Sequence, residues 1–271
     1  MNLPVTEDLL IKERAGVLTI TINRPHKRNA MNDAVVGGIM QTFDAIAQRR
    51  DIRAVVLEGA GGHFCSGGDI SGMKETSSAQ EAEKAAWEFN RVFGRMCTQV
   101  NRAPQVVVTL LEGAVLGGGF GLACISDVAI ADTNARFGMP ETGLGIVPAQ
   151  IAPFVVMRIG LTKARQLALL GERFDGQAAL EAGLVHYVAD GRQAMDACLD
   201  TVLGKLRRCA PHATAVTKQL MLDVGSVPLE QLLDRAADDF TAAINSEEGK
   251  EGTGAFVEKR LPRWAQQGES E

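Results

Sequence analysis

The stretch EGAVLGGGFGLACISD, residues 112–127, places three consecutive glycines between an apolar run and a segment compatible with a helix. It continues the apolar run PQVVVTLL (104–111), so the chain order is strand, glycine-rich turn and helix. Because glycine has no side chain, such a turn brings backbone N–H groups close to a ligand, and a helix start adds partial positive charge. The stretch therefore predicts a strand–helix unit with an anion-binding turn.

Further strand-like segments lie on both sides of this stretch, and two helix-length segments separate the earlier ones. The strand-like segments are GVLTITINRP (16–25), RAVVLEGAGGHFCSGGD (53–69), SDVAIADTNARFG (126–138) and GLVHYV (183–188), the second of which also ends in a glycine-rich turn. The helical segment 32–51 opens on an Asn/Asp cap, and the helical segment 82–104 ends before a proline. This alternation of strands and helices predicts an α/β fold.

The chain from residue 162 onward is nearly all helical in pattern, and its natural division lies near residue 190. We therefore predict a core of residues 1–190 and a C-terminal helical region of residues 191–271. No low-complexity linker separates the two, so we expect the helices to pack on the core or on a neighbouring subunit.

Composition limits the classes of partner and location. The 271 residues are 46% hydrophobic, and 28 basic against 33 acidic residues give a net charge of −5 without a basic block. This balance does not favour a nucleic-acid or anionic-membrane partner. Five cysteines without ligand-like spacing, no signal-peptide pattern and no apolar stretch long enough to span a bilayer predict a cytoplasmic protein.

The two glycine-rich turns, CSGGD (65–69) and LGGGF (116–120), do not fit a nucleotide site. Neither is followed by the Lys-Ser/Thr pair of a phosphate-binding loop, and GGGFG lacks the GxGxxG spacing of a dinucleotide site. Backbone N–H donors that converge on one oxygen form an oxyanion hole instead, which stabilises negative charge developing on that oxygen.

Five motifs together resemble those of the crotonase (enoyl-CoA hydratase/isomerase) superfamily in order and spacing. They are RPHKRNAM (24–31), HFCSGGDI (63–70), EGAVLGGGFGLACISDVAIA (112–131), FGMPETGLGIVP (137–148) and FVEKRLPRW (256–264). The resemblance implies a spiral of repeated ββα units followed by a C-terminal helical trimerisation region. It also implies an acyl-CoA ligand and a homo-oligomer, either a trimer or a dimer of trimers. No metal or redox cofactor is expected, since coenzyme A is part of the substrate.

The resemblance assigns roles to individual residues. The backbone N–H groups of Gly68 and Gly118 would form the oxyanion hole, and Glu141 would be the catalytic carboxylate. From the residues alone, an acid in the first turn of a helix is the favoured interpretation of Glu141, and the resemblance reverses this order. The family's coenzyme A contacts fall on Lys27, Arg28, Ala30, Gly68, Asp69, Ile70, Ser71, Gly118, Phe256 and Lys259, the last two often reaching a neighbouring subunit.

Gly121 departs from the pattern of the two-glutamate hydratases, which carry a second glutamate at this position. An isomerase needs only one base, so Glu141 alone suits that reaction. However, residues 112–131 and 148–176 resemble the hydratases of branched glutaconyl-CoA thioesters, so hydration is the first choice. Isomerase activity and a non-catalytic CoA-binding or scaffold role stay open. We expect Gly121 to leave open space, and we expect residues 147–156 to shape the acyl pocket.

Four other residues near these motifs receive structural roles. We interpret His63 as a solvated loop histidine, Cys65 as a small buried thiol, Glu112 as a turn-stabilising acid and Asp127 as a structural aspartate at the head of a strand.

Overall fold

A six-stranded sheet forms the centre of the molecule. The computed structural model describes residues 3–4, 6–69 and 78–266. The sheet has the order β1-β2-β3-β4-β6-β9, in which β1 and β2 are antiparallel and the other neighbours are parallel. Its strands are β1 (Leu9–Arg14), β2 (Val17–Ile22), β3 (Ala54–Gly59), β4 (Val106–Leu111), β6 (Val128–Asp132) and β9 (Tyr187–Ala189).

Three short strands form a second sheet beside the main one. It has the order β5-β7-β8, with β5 (Ala114–Leu116), β7 (Arg136–Gly138) and β8 (Arg173–Phe174). Phe174 of β8 stacks on Phe137 with ring centroids 5.7 Å apart, and its ring meets that of Phe120 edge to face at 6.1 Å. This aromatic cluster packs the second sheet against the helix that follows the three glycines.

Ten α-helices occur in the described part of the chain. They are α1 (Asp33–Ile46), α2 (Ala79–Asn101), α3 (Gly118–Cys124), α4 (Ala152–Leu170), α5 (Gly176–Glu181), α6 (Gly191–Arg207), α7 (Pro211–Leu222), α8 (Leu229–Asn245), α9 (Glu247–Val257) and α10 (Arg263–Gln266). The Asn32 side chain caps α1 by accepting a hydrogen bond from the Val35 N–H, and Ser78 caps α2 in the same way. These caps satisfy N–H groups that a helix start leaves unpaired.

Both faces of the parallel strands are buried. On one face, α1, α2 and α4 enclose the larger apolar core, which includes Ile39, Phe43, Met96 and Val155. On the other face, Met195 and Val202 of α6 pack against side chains of β3, β4 and β6. This double burial explains the continuous apolar runs of the central strands, because a strand buried on both faces has no solvent side to fill with polar residues.

Asp127 joins the C-terminal helices to the sheet. Its Oδ2 accepts hydrogen bonds from the Val107 N–H at 2.7 Å and from Lys218 Nζ of α7 at 2.6 Å. The structural role expected for Asp127 is therefore confirmed.

The α/β fold class predicted from the sequence is confirmed, but particular elements differ. β1 and β8 were not predicted. α4 begins at Ala152 rather than near residue 162, and the non-helical Gly160 interrupts it. Prolines 148 and 153 hid this start, although a proline is compatible with the first turn of a helix. The boundary between residues 190 and 191 stays a prediction. Among the described residues, no helix is both long and apolar enough to span a bilayer.

Candidate active site

The two glycine-rich turns lie side by side because the chain after β3 pairs with β5. Cys65 N–H donates to Ala114 O at 2.9 Å, and Leu116 N–H donates to Cys65 O at 2.9 Å. The two segments approach so closely that a Cβ on Gly119 would collide with the Cys65 carbonyl oxygen and would lie 2.8 Å from Cys65 Cβ. Gly67 and Gly117 also have φ values of 108° and 51°, which other residues rarely adopt. Glycine is therefore required on both sides of the contact.

Two glycines at this contact, Gly68 and Gly118, line the same cavity. The two neighbours of Gly68 are hydrogen-bonded to Met31: Met31 N–H donates to Gly67 O, and Asp69 N–H donates to Met31 O, both at 2.8 Å. Gly118 is the first residue of α3, where a helix leaves its N–H groups unpaired. Within the described ranges neither N–H has a protein acceptor, and both residues line the cavity. The structure thus brings together the two glycines proposed as an oxyanion hole.

Glu141 places a carboxylate beside these donors. It begins the 3₁₀ helix Glu141–Leu144, and its Oε1 would lie 2.9 Å from a Cβ on Gly117. Its Oε2 is buried and has no hydrogen-bond partner in the part of the chain that is described. Desolvation by burial raises the pKa of the Glu141 carboxyl above its ordinary value. An unpaired, desolvated carboxyl in a cavity is suited to accept and return a proton.

The cavity that contains these groups has a volume of about 390 Å³. Phe89 and Phe93, one turn apart on α2, cover the two glycines, since a Cβ on Gly68 would lie 3.4 Å from the Phe89 ring and one on Gly118 would lie 3.2 Å from the Phe93 ring. The described residues that line the cavity are Met31, Asp33, Val36, Gly68, Ala86, Phe89, Asn90, Val92, Phe93, Gly118, Glu141, Ile146, Val147, Pro148, Ala149, Gln150 and Ile151. The site is therefore a mostly apolar pocket with a few polar groups.

Gly121, where a second glutamate was expected in the two-glutamate pattern, does not leave open space. A Cβ at this position would lie 2.3 Å from Cγ2 of Ile151. The buried Ile151 side chain occupies the volume, so the expectation of a vacant site is wrong. An apolar group replaces the second acid.

The coenzyme A contacts expected near the N-terminus lie next to the oxyanion turn. Ser66 donates to both Lys27 O and Arg28 O, at 3.1 Å and 3.0 Å. Ala30 O accepts a hydrogen bond from the buried Arg24 guanidinium, which also contacts Asp69 at 2.9 Å. The segment that carries Lys27, Arg28 and Ala30 is thus tied to Asp69 and to the turn that carries Gly68.

The expected coenzyme A contacts near the C-terminus, Phe256 and Lys259, do not line this cavity. Ile70 and Ser71 lie outside the described residues. Phe256 is 85% exposed at the end of α9, and neither it nor Lys259 is among the residues that line the pocket of its own chain. Their contact with coenzyme A, from a neighbouring subunit, stays a prediction.

Arg24 and Asn29 support the site but were not singled out from the sequence. Asn29 is fully buried, and its Nδ2 donates to Ala60 O at 2.8 Å and His63 O at 2.6 Å, while its Oδ1 accepts from the Arg24 N–H. Both residues belong to the motif RPHKRNAM. Their position, as polar residues just after a buried strand, was the sequence feature that could have indicated a role at the site. They hold the oxyanion turn against the first coenzyme A segment.

The structure also tests three residues assigned to structural roles. His63 is half-buried and its Nδ1 accepts a hydrogen bond from the Ala114 N–H, so the interpretation of a solvated histidine is wrong. Burial raises the pKa of the Cys65 thiol to about 12, which confirms an inert buried thiol. Glu112 pairs with Arg192 of α6 at 3.1 Å, in agreement with a stabilising role.

Comparison with known proteins agrees with this site. A sequence model of the enoyl-CoA hydratase/isomerase family matches residues 12–267. The 2,3-dehydroadipyl-CoA hydratase of Escherichia coli K12 is 30% identical over 256 residues, which cover 94% of this chain and 97% of that protein. The chain therefore belongs to the enoyl-CoA hydratase/isomerase family, and it has hydratase/isomerase-type activity on CoA thioesters.

Two solved structures are more similar still. AtuE of Pseudomonas aeruginosa superposes with a TM-score of 0.92 at 54% sequence identity, and the match covers 96% of this chain and all of that chain (100%). An enoyl-CoA hydratase/isomerase from Marinobacter aquaeolei gives a TM-score of 0.92 at 50% identity, with the same coverage of 96% and 100%.

Replacing Gly118 tests the oxyanion donor. Gly118→Pro removes the N–H at a helix position that tolerates proline, so we expect kcat to fall about 100- to 1,000-fold. Gly118→Ala is the control, because it keeps the N–H and adds a carbon 2.8 Å from the flexible end of Met31. Steady-state kinetics with an enoyl-CoA check this, and equal losses in the two variants would contradict a donor role for the N–H.

Replacing Glu141 tests the proton-transfer group. Glu141→Gln should lower kcat about 100-fold or more, with binding of coenzyme A thioesters nearly intact. Because desolvation raises the pKa of this carboxyl, the acid limb of the wild-type kcat/KM profile should lie above the range of an ordinary glutamate, about pH 4.3. A limb at the ordinary value, or normal activity of Glu141→Gln, would contradict the assignment.

The same raised pKa has a consequence for stability. A carboxyl whose pKa is higher in the folded than in the unfolded protein contributes stability below its unfolded pKa and loses it as pH rises through the folded pKa. In urea unfolding, the free energy of unfolding of Glu141→Gln should therefore rise relative to that of the wild type as pH rises through the folded-state pKa.

Proposed function

We propose that this protein hydrates branched glutaconyl-CoA thioesters, with isohexenylglutaconyl-CoA of acyclic terpene (citronellol and geraniol) degradation as its substrate. The observation that carries the proposal is the carboxyl of Glu141, whose buried Oε2 has no partner among the described residues, in the same mostly apolar cavity as Gly68 and Gly118. The reaction needs no cofactor, because coenzyme A is part of the substrate.

The geometry supports a chemical sequence in which one carboxylate moves the proton. Gly68 and Gly118 donate to the thioester oxygen, and Glu141 removes a proton from water as the water oxygen bonds to the β carbon. The electron pair of the double bond moves to the thioester oxygen, where the two donors stabilise the enolate. Glu141 then returns the proton to the α carbon, and the product is a 3-hydroxyacyl thioester.

The shape of the cavity supports a branched acyl group. Residues 147–151 line the cavity with mostly apolar side chains, whereas residues 152–156 are not part of its lining. Val147 is 71% exposed and Ile146 is 49% exposed, so apolar surface is available for a long substituent. The relative named 2,3-dehydroadipyl-CoA hydratase acts, by its name, on a thioester with a second carboxylate. A glutaconyl thioester shares that feature.

Other functions remain defined alternatives. Methylglutaconyl-CoA hydration in leucine degradation uses the same chemistry with a smaller branch. An enoyl-CoA isomerase needs one base, which the single Glu141 supplies. A non-catalytic CoA-binding or scaffold role would not require an unpaired buried carboxyl, which costs stability unless it has a task.

The decisive measurement incubates the purified protein with a panel of CoA thioesters and follows products by mass and chromatographic retention. We expect isohexenylglutaconyl-CoA to gain one water, with a higher kcat/KM than crotonyl-CoA because the cavity holds the branch. Isomerisation would leave the mass unchanged and change only retention. A preference for crotonyl-CoA, or for 3-methylglutaconyl-CoA over the longer branch, would contradict the proposed substrate.

We further propose that the protein is a cytoplasmic trimer or dimer of trimers without a nucleic-acid or membrane partner. Its five cysteines are free, as in a reducing compartment. Large apolar side chains are exposed along the C-terminal helices, including Leu233, Phe240 and Ile244 of α8 and Val257 of α9. Apolar surface of this extent is typical of an interface between subunits.

Replacing Phe240, which is 66% exposed, tests the proposed oligomer. Phe240→Asp places a charge in an apolar interface, so we expect sedimentation velocity to show dissociation to smaller species at micromolar concentration. Lys12→Asp, on the exposed side of the edge strand β1, introduces an aspartate away from these helices and should leave the sedimentation coefficient unchanged. A wild-type protein that sediments as a monomer would reject the proposal.

A further inference from the structure

Three polar side chains form a hydrogen-bonded row at the wall of the cavity. The guanidinium Nη1 of Arg91 lies 3.5 Å from Oε1 of Gln150, and Gln150 Nε2 donates to Asn90 Oδ1 at 2.9 Å. Asn90 and Gln150 both line the cavity, whereas Arg91 is not among the lining residues. We call this row the Arg91–Gln150–Asn90 relay.

The relay has a defined direction. The Gln150 oxygen faces a cation, so its nitrogen must face Asn90, and the Asn90 oxygen accepts from it. This leaves the Asn90 Nδ2 group as the end of the row, and in the ranges that the structure describes it has no protein acceptor. Each donor polarises the next, which strengthens the terminal N–H groups as donors. The relay therefore presents hydrogen-bond donors, backed by a positive charge, to the cavity.

Gly94 fixes the position of the relay. A Cβ at Gly94 would lie 1.9 Å from Gln150 Oε1 and 3.0 Å from Arg91 Nη1. The Gln150 amide therefore packs directly on the backbone of α2, one turn after Asn90. This packing limits the positions that the Gln150 side chain can adopt.

The charge of the rest of the lining makes these donors selective. Among the residues that the structure describes, the charged side chains that line the cavity, Asp33 and Glu141, are both acidic. An anionic group of a substrate is repelled by them and is favoured only where donors compensate. Among the lining side chains, the two amides of the relay supply such donors.

The relay is connected to the proposed oxyanion hole through Ile151 and α3. Gly121 is one turn of α3 beyond Gly118, about 4.5 Å along the helix axis. Ile151 contacts Gly121, and Gln150 is its neighbour in sequence. In a glutaconyl thioester, four carbon–carbon bonds of about 1.5 Å separate the second carboxyl carbon from the thioester carbon, so the two lie within about 6 Å of each other. A carboxylate bound through its thioester at the hole can thus reach this part of the cavity.

We infer that the Arg91–Gln150–Asn90 relay binds the distal carboxylate of a glutaconyl-type acyl group and selects it over neutral enoyl-CoA thioesters. This inference rests on the proposed function and assigns its specificity to three residues. The carboxylate accepts from Asn90 Nδ2, and Arg91 acts through Gln150 without touching the substrate.

The test compares two thioesters that differ only in this carboxylate, glutaconyl-CoA and crotonyl-CoA. The quantity measured is the ratio of their kcat/KM values. Asn90→Asp keeps the shape of the side chain but replaces the donor with a negative acceptor, so the ratio should fall at least about tenfold. Arg91→Met keeps the length of the side chain without its charge, and the ratio should fall severalfold. Arg91→Lys should restore part of that loss.

Gln80→Glu is the matched control. It changes the net charge by the same amount as Asn90→Asp on the exposed first turn of α2, outside the cavity lining, and should leave the ratio unchanged. Thermal melting of each variant verifies folding.

The wild-type protein tests the proposed function, whereas the variants test the relay. A wild type that hydrates crotonyl-CoA with the higher kcat/KM rejects the proposed function and the relay with it. The wild type could prefer glutaconyl-CoA while Asn90→Asp and Arg91→Met lower kcat/KM equally for both substrates. That result overturns the relay and leaves the proposed function standing. An unchanged ratio in the folded Arg91→Met variant, with a fall only in Asn90→Asp, overturns the part assigned to Arg91.

Discussion

The backbone contact between the chain after β3 and the chain after β5 is the constraint on which the site depends. Hydrogen bonds between Cys65 and both Ala114 and Leu116 hold two glycine-rich turns so close that a side chain at Gly119 would collide with the Cys65 backbone. The parallel order of β3 and β4 brings the carboxyl ends of their strands to the same edge of the sheet. β5 begins three residues after the end of β4, and the segment after β3 pairs with it, so Gly68 and Gly118 line one cavity beside this edge.

Polar interactions around this contact fall into two groups with different tasks. Arg24, Asn29 and Asp69 are paired with one another or with backbone groups, and they fix the position of the turn that carries Gly68. Glu141, in contrast, keeps one buried oxygen without a protein partner, and its pKa is raised by desolvation. A buried polar atom without a partner lowers stability, so the paired residues hold the scaffold in place while the unpaired one stays available for chemistry.

The parts of the molecule that could be predicted from sequence are those encoded locally. Strands β2, β3, β4 and β6 were predicted because their apolar runs end in turn residues, and the glycines of both turns mark the oxyanion site. β1, with the sequence LLIKER, was not predicted, because three consecutive charged residues, Lys12 to Arg14, interrupt the alternation of apolar and polar residues expected of a strand. β8 has only two residues and exists through its pairing with β7.

The parts of the site that could not be predicted depend on contacts between distant segments. Gly121 alone indicates a missing acid, but only the fold shows that Ile151, thirty positions later, fills its volume. The contact between Gln150 and Asn90 joins residues sixty positions apart. His63 has a structural partner, Ala114, that no local pattern indicates. The sequence motifs thus locate the donors and the carboxylate, whereas the shape and polarity of the acyl cavity come from long-range packing.

The exchange of a second acid for an apolar contact changes the electrostatics of the whole cavity. Two neighbouring carboxylates repel each other, so one is protonated or both need strong donors. With Gly121 and Ile151 in that place, Glu141 does not compete with a second carboxylate there, and its raised pKa comes from desolvation. The raised pKa makes the ionised Glu141 carboxylate a stronger base. A carboxyl pKa closer to neutral pH also suits a group that must both accept and return a proton. In the proposed reaction, the apolar replacement therefore assigns proton transfer to Glu141 alone and leaves the rest of the cavity wall to contact the acyl group.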